Sequence, residues 1–135
     1  MTDDVRALFD EVVLGALATV NEDGTPWATP LHVFADDEAV YWFSGQEKQH
    51  SLNLERDPKG SVTVFSPDES DGLKGAFFNG TVEMLDRSKR SYARELVAKR
   101  MGDVPLTFES AAAYRLKIGE LNRGKSSGKC WYFYS

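Results

Sequence analysis

Residues 15–58 constrain the fold more than any other part of the chain: GALATVNEDGTPWATPLHVFADDEAVYWFSGQEKQHSLNLERDP. The first thirty of them are rich in β-formers and broken by turn signals, and the pattern then changes to that of a short polar helix. Residues 16–20 read as a strand. Glu22-Asp23-Gly24-Thr25 reads as a turn, because Asp-Gly supplies the positive φ that a tight hairpin requires. Residues 27–34 return as a second strand. Pro26 and Pro30 cannot donate to a ladder, so this strand belongs at an edge or carries a bulge or interruption. Asp36-Asp37 turns the chain into a third strand, VYWFS, over residues 40–44. A helix over about 47–56 follows. Ser44 and Glu47 have the spacing of a capping box, and Asp57-Pro58 stops the helix.

The flanking segments continue this pattern. Residues 3–13 predict a helix, with Val5, Leu8, Phe9, Val12 and Val13 at helical spacing, Thr2 or Asp3 as cap and Gly15 as its end. Residues 61–65 predict a fourth strand and 67–73 a loop. Residues 75–85 predict a fifth β segment, in which Asn79-Gly80 is either a hairpin turn or a bulge. Residues 87–101 predict the longest helix, with Tyr92, Ala93, Leu96, Val97 and Met101 along one side. Residues 112–118 and 130–134 predict a sixth and a seventh strand. Many short strands with few helices point to a closed or nearly closed antiparallel barrel. Strands and crossover helices do not alternate, which argues against a doubly wound parallel sheet. No internal repeat is visible.

Size and charge narrow the function classes. The chain has 135 residues, which fits one domain spanning 1–135. Its net charge of −5 argues against nucleic acid as a partner, since such binding rests on lysine and arginine contacts to phosphates. Lys89, Arg90, Arg94, Lys99 and Arg100 therefore read as a solvated helix face rather than an RNA surface. Cys130 is the sole cysteine, so no internal disulfide forms, and this suits a reducing cytoplasm. The N-terminus lacks the basic and apolar regions of a signal peptide. No segment approaches the roughly 20 apolar residues of a membrane span. The sequon Asn79-Gly80-Thr81 is accordingly not expected to be glycosylated.

Residues 119–126, GELNRGKS, match the phosphate-loop pattern G-x-x-x-x-G-K-S letter for letter. That loop must open a helix whose first amides face the phosphates. Here Ser127-Gly128-Lys129 and an aromatic strand follow, so the segment reads as a basic hairpin loop. Arg123, Lys125 and Lys129 cluster there and are available to an anion. His32, His50 and Cys130 do not have the spacing of a metal site. Cys130 reads as a core or interface residue, and no catalytic residue is assigned. Most of the aromatics Trp27, Trp42, Phe43, Phe77, Phe78, Trp131 and Tyr132 are expected in the core. Trp27 and Trp131, beside polar or turn-rich segments, are candidates for a ligand wall or subunit contact. Residues 44–53 have two readings. One is a capped surface helix. The other is phosphate capture by Ser44, Lys48, Gln49, His50 and the free amides at the helix start.

Several of these segments together resemble the pyridoxamine 5'-phosphate oxidase-like family, the FMN-binding split barrels. They are Leu17 to Val20, Asp23-Gly24, Pro26 and Pro30, Tyr41 to Ser44, and Asn53-Leu54 to Asp57-Pro58. SVTVF and FFNGTVEML continue the match to about residue 100. The resemblance implies a mostly β, α+β fold: a six-stranded antiparallel split β-barrel of Greek-key type with peripheral helices. It implies a homodimer with two FMN sites across the interface. The second strand, here Trp27, Ala28, Thr29 and Leu31, would line the flavin ring. Phe43, Ser44, Gln49 and His50 would hold the phosphate, with Lys48 beside them, and Trp131 of the other subunit would cover the ring. Two departures stand out. Many members have Arg-Lys where this chain has Gln49-His50, a run similar to that of general-stress-protein-like members. The C-terminal GKCWYFYS also lacks the arginine-rich ending of true pyridoxamine 5'-phosphate oxidases, so that activity is not expected.

The expectation is thus a small cytoplasmic flavoprotein, an FMN-dependent oxidoreductase acting on an unknown small molecule. A non-enzymatic flavin- or haem-binding module of the same fold is the alternative, and a ligand-free interaction dimer is a third. FMN is favoured over a deazaflavin by the short phosphate-binding helix. Neither metal, nucleic acid nor membrane is expected as a partner.

Overall fold

A computed structural model describes residues 1–70, 72–119, 121–123 and 130–134, the last two stretches by their backbone pairing only. Helix α1 (Asp3–Glu11) is capped by Thr2, whose hydroxyl accepts from the Val5 amide. Strands β1 (Leu14–Val20) and β2 (Pro26–His32) form the first hairpin, pairing from Leu14↔His32 to Val20↔Pro26. Gly24 turns it with a φ of 87°, a conformation that glycine adopts without steric cost. Strand β2 lies at the end of the sheet, as its prolines require, and its ladder with β1 is unbroken. Val33 separates it from β3 (Phe34–Ala35), so the predicted single strand over 27–34 is two.

The remaining elements are β4 (Ala39–Ser44), α2 (Gln49–Arg56), β5 (Lys59–Phe65), β6 (Lys74–Met84), α3 (Arg87–Met101), α4 (Leu106–Glu109), β7 (Ala112–Lys117), β8 (Leu121–Arg123) and β9 (Cys130–Tyr134). The strand path is β2-β1-β5-β6-β7-β4-β3, with β9 joined to β6 and β8 to β9. This is a mostly antiparallel sheet curled into a split barrel, with more strands than the six expected. Strand β6 produces the split. One edge pairs with β5 from Gly75 to Thr81, while the other pairs first with β9 and then, at Val82 to Met84, with β7. Asn79-Gly80 is therefore neither a turn nor a bulge. Asn79 pairs with Ser61 and Gly80 with Gly60 in a regular ladder, because β5 demands a continuous partner there.

Two apolar clusters result. Inside the barrel, α1 inserts Val5, Leu8 and Phe9 against Leu17, Trp42, Val62, Val64, Phe78 and Leu116. Outside it, α3 packs Ala93 and Val97 on Tyr41, Phe43 and Ala113. Strand β4 separates the two clusters and is buried on both faces, which is why it reads as continuous AVYWF. Helix α3 has the predicted bounds, with Asp86 as N-cap and Gly102, at a φ of 80°, closing its end. Its buried stripe is narrower than predicted, since Tyr92 and Met101 stay exposed. Tyr92 instead donates to Asp36 Oδ2 at 2.8 Å, and Tyr41 donates to the same atom at 3.0 Å. Burial and then the Asp36 carboxylate push the Tyr41 hydroxyl up to about 12. The bond to Asp36 does the same for Tyr92, so both phenols stay protonated as donors.

The outward face of the β2-β1-β5 sheet carries small residues. In register stand Pro30, Ala16 and Thr63, then Ala28, Ala18 and Ser61. No described helix covers them, and Ala28 and Pro30 are exposed.

Candidate functional site

Strand β4 ends at Phe43-Ser44, and the chain turns through Gly45 into α2. The expected helix start at 47 and the capping box are not formed. Lys48 is the N-cap, with no side-chain cap, because Ser44 engages a different group. Its Oγ lies 2.6 Å from Nε2 of His50. The His50 ring is 6% exposed. Burial, then the charge of Lys48, lowers its pKa below the ordinary 6.5. The two side chains are hydrogen-bonded, and which of them donates is set by the imidazole tautomer.

Beside this pair is a cleft of about 380 Å³ lined by Phe43, Ser44, Gly45, Glu47, Lys48, Thr107, Phe108, Ser110 and Ala111. Its far wall is α4, which the sequence did not reveal. Phe108 stacks on Phe43 with centroids 5.2 Å apart and planes 6° apart. The Arg90 guanidinium lies 5.5 Å from the Phe43 ring centre. Arg90 also donates to the carbonyls of Phe108, Glu109 and Ala111, which fixes α4 in place. Pro105 ahead of a lone Phe108 was the one local hint of this turn of helix. The Glu47 carboxylate folds back over Gly45, where a Cβ would collide with it.

The other predicted site residues are distributed around this cleft. Gln49 does not line it and donates to Asn53 Oδ1 at 2.9 Å. Asn53 is fully buried and donates to Thr19 Oγ1 at 3.0 Å and Asn21 Oδ1 at 2.9 Å. Thr19 stands opposite Trp27 in the β1–β2 ladder, so this network turns the Gln49 face of α2 toward β2. Trp27 is 42% exposed, and Ala28 and Thr29 follow it along the edge. Leu31 packs on the barrel core. His32, ending β2, meets the edge of the Phe108 ring at 6.3 Å. The far edge of β2 meets no strand among the described residues, which leaves part of its backbone polar groups unpaired. Trp131 pairs opposite Phe77 in β9. Its side chain lies outside the described residues, as do Lys125, Lys129 and most of the loop at 119–129.

The donor set around Ser44 fits an anion: a hydroxyl, an ammonium, an imidazole and the uncapped amides opening α2, with no acid in that helix's first turn. Glu47 is the one group in the cleft that opposes it. The phenyl rings of Phe43 and Phe108 supply an apolar wall. Among the described residues, no group of three histidine, cysteine or acidic side chains is placed to hold a metal. No helix among them is long and apolar enough to cross a membrane.

A family model described as pyridoxamine 5'-phosphate oxidase matches residues 1–122. No curated protein matches the sequence. Solved structures do share the fold. A conserved hypothetical protein of Mycobacterium tuberculosis is 21% identical with a TM-score of 0.75, over 99% of this chain and 85% of that one. A FAD-binding protein of Mesorhizobium loti is 21% identical with a TM-score of 0.67, over 89% and 91%. A haem storage protein of Vibrio cholerae is 18% identical with a TM-score of 0.66, over 86% and 88%. At these identities the likeness establishes the fold.

Proposed function

Because the chain belongs to the pyridoxamine 5'-phosphate oxidase family, we propose that it binds FMN without a covalent bond, with the phosphate in the cleft between β4, α2 and α4. The observation that carries this reading is the Ser44–His50 pair beside Lys48 and the uncapped start of α2. Ser44 and the helix amides would donate to the phosphate, and Lys48 would supply fixed charge. His50 would supply charge on protonation, in place of the commoner Arg-Lys. The open edge of β2 at Trp27, Ala28 and Thr29 would bond the polar rim of the ring. Gln49, held by Asn53, faces that strand.

The open edge of β2 would give the ring one wall, and a homodimer would supply the other. The small residues on the outer face of β1, β2 and β5 suit close approach of a second copy, and its Trp131 is the candidate cover. A bound flavin supplies hydride or electron transfer, while the protein supplies orientation, water exclusion and local charge. The reading is therefore an FMN-dependent oxidoreductase of the cytoplasm acting on a small molecule.

A second reading is a flavin- or haem-binding module without catalysis. It is favoured by the fold shared with a haem storage protein and by the lack of an assigned acid or base. An absorption spectrum of the purified protein, with mass analysis of what it releases on denaturation, separates the two ligands. Released FMN that nicotinamide cofactors reduce supports the oxidoreductase. Bound flavin that no donor reduces supports the module. Colourless protein that leaves FMN fluorescence unchanged on titration would overturn flavin binding.

A further inference from the structure

Helix α2 is fastened at its start by the His50–Ser44 bond and along one side by polar bonds to the first hairpin. Asn53 and Arg56 tie it to the β1 hairpin, Arg56 through the Val20 carbonyl. On its other side, toward β6 and β7, lies a separate cavity of about 190 Å³. Leu54, Val82, Met84 and Tyr114 form its apolar walls, and Gln46, Ser51 and Glu55 bring polar atoms to it. The Tyr114 wall is rigid, because its ring stacks on the fully buried Trp42 at 5.9 Å and 11°.

Ser51 makes this cavity more than a packing defect. The residue is 4% exposed, and among the described residues its hydroxyl has no hydrogen-bond partner. A buried hydroxyl left unpaired costs about 1–3 kcal/mol, so it favours a guest that restores the bond. The volume is of the order that holds one six-membered ring, since an apolar cavity of about 150 Å³ accepts benzene. The charge of the lining sets the sign of the guest. The lining residues include the acidic Glu55 and no lysine or arginine.

We propose that this cavity is a second binding site, taking a single-ring molecule with a neutral or cationic hydrogen-bond donor, such as an arylmethylamine. The ring lies between Leu54, Val82 and Tyr114, and the donor reaches Ser51 Oγ or Glu55. The site shares no lining residue with the proposed flavin cleft. Because α2 also carries Gln49 and His50, occupancy here holds the helix that builds that cleft.

The test is a titration of the full chain with benzylamine, benzyl alcohol and benzoate, followed by ¹H–¹⁵N and methyl NMR. Benzylamine is expected to give saturable shifts centred on Ser51, Leu54, Val82 and Tyr114. Benzyl alcohol should do so more weakly, and benzoate not at all. Glu55→Gln should weaken benzylamine by about tenfold and leave benzyl alcohol unchanged, because only the amine makes a charge-assisted bond there. Ser51→Ala, a change that α2 tolerates by helix propensity, should weaken both. Equal shifts from benzoate, shifts scattered over the surface, or unchanged affinity in both variants would overturn the site. None of these readouts requires flavin, so failure here is distinct from failure of the FMN reading.

Discussion

His50 sits at the balance point of the candidate cleft. Its imidazole is held neutral by burial, then by Lys48. A histidine whose folded pKa is depressed binds fewer protons folded than unfolded. The stability it contributes is full above the ordinary 6.5 and is lost as pH falls below that value. A bound phosphate acts in the opposite direction by favouring the imidazolium. FMN affinity is therefore expected to rise as pH falls toward 6, by up to about tenfold per unit. His50→Gln should flatten that profile in a fluorescence titration repeated across pH. Glu47, folded over Gly45 in the same cleft, opposes an anion. Glu47→Gln is expected to tighten FMN by about threefold to tenfold, an effect that added salt should diminish. The residue string offered His50 for phosphate capture, whereas it suggested Glu47 only as part of a capping box. That suggestion failed because Ser44 is bonded to His50, the second residue of α2.

Two anchors decide where the elements of the site stand. Asn53 joins α2 to β1 through Thr19 and Asn21 while accepting from Gln49. Asn53→Ala would leave Thr19 and Gln49 without that partner and open a small void. A loss of about 2–3 kcal/mol in urea unfolding is expected. Arg90 is the anchor of α4, with bonds to three carbonyls and a face on Phe43. Arg90→Met keeps much of the apolar stem but loses the bonds. Amides across 106–111 are then expected to exchange faster with solvent, while those of β4 and β7 keep their protection. If α4 walls the flavin phosphate, FMN should weaken in parallel. Helix α3 shows the complementary case. Its bounds were legible because Asp86, the long helical pattern and Gly102 are all local signals. The four-residue α4 was not, because its stability comes from Arg90 and Phe43, which are distant in sequence.

Across the whole molecule, the outer sheet face is the feature that a single chain leaves unused. Ala18 stands between Ala28 and Ser61 at its centre. If the proposed dimer forms through this face, Ala18→Arg is expected to shift it to monomer in sedimentation velocity and to lower FMN affinity by at least about tenfold, since a long charge blocks close approach of a second copy. An unchanged sedimentation coefficient would overturn a dimer built on this face. Sequence alone determined the β-rich class, the hairpin at Asp23-Gly24, the bounds of α3 and the confinement of β2 to an edge or an interrupted position. Each follows from a rule acting over a few residues: side-chain period, glycine conformation, or the missing amide of proline. Tertiary structure decided the rest. It made Asn79-Gly80 a plain stretch of β6, split the barrel by giving that strand two partners along one edge, and brought Phe108 onto Phe43. Such choices depend on which distant groups are available to pair, and the local chain carries no record of them.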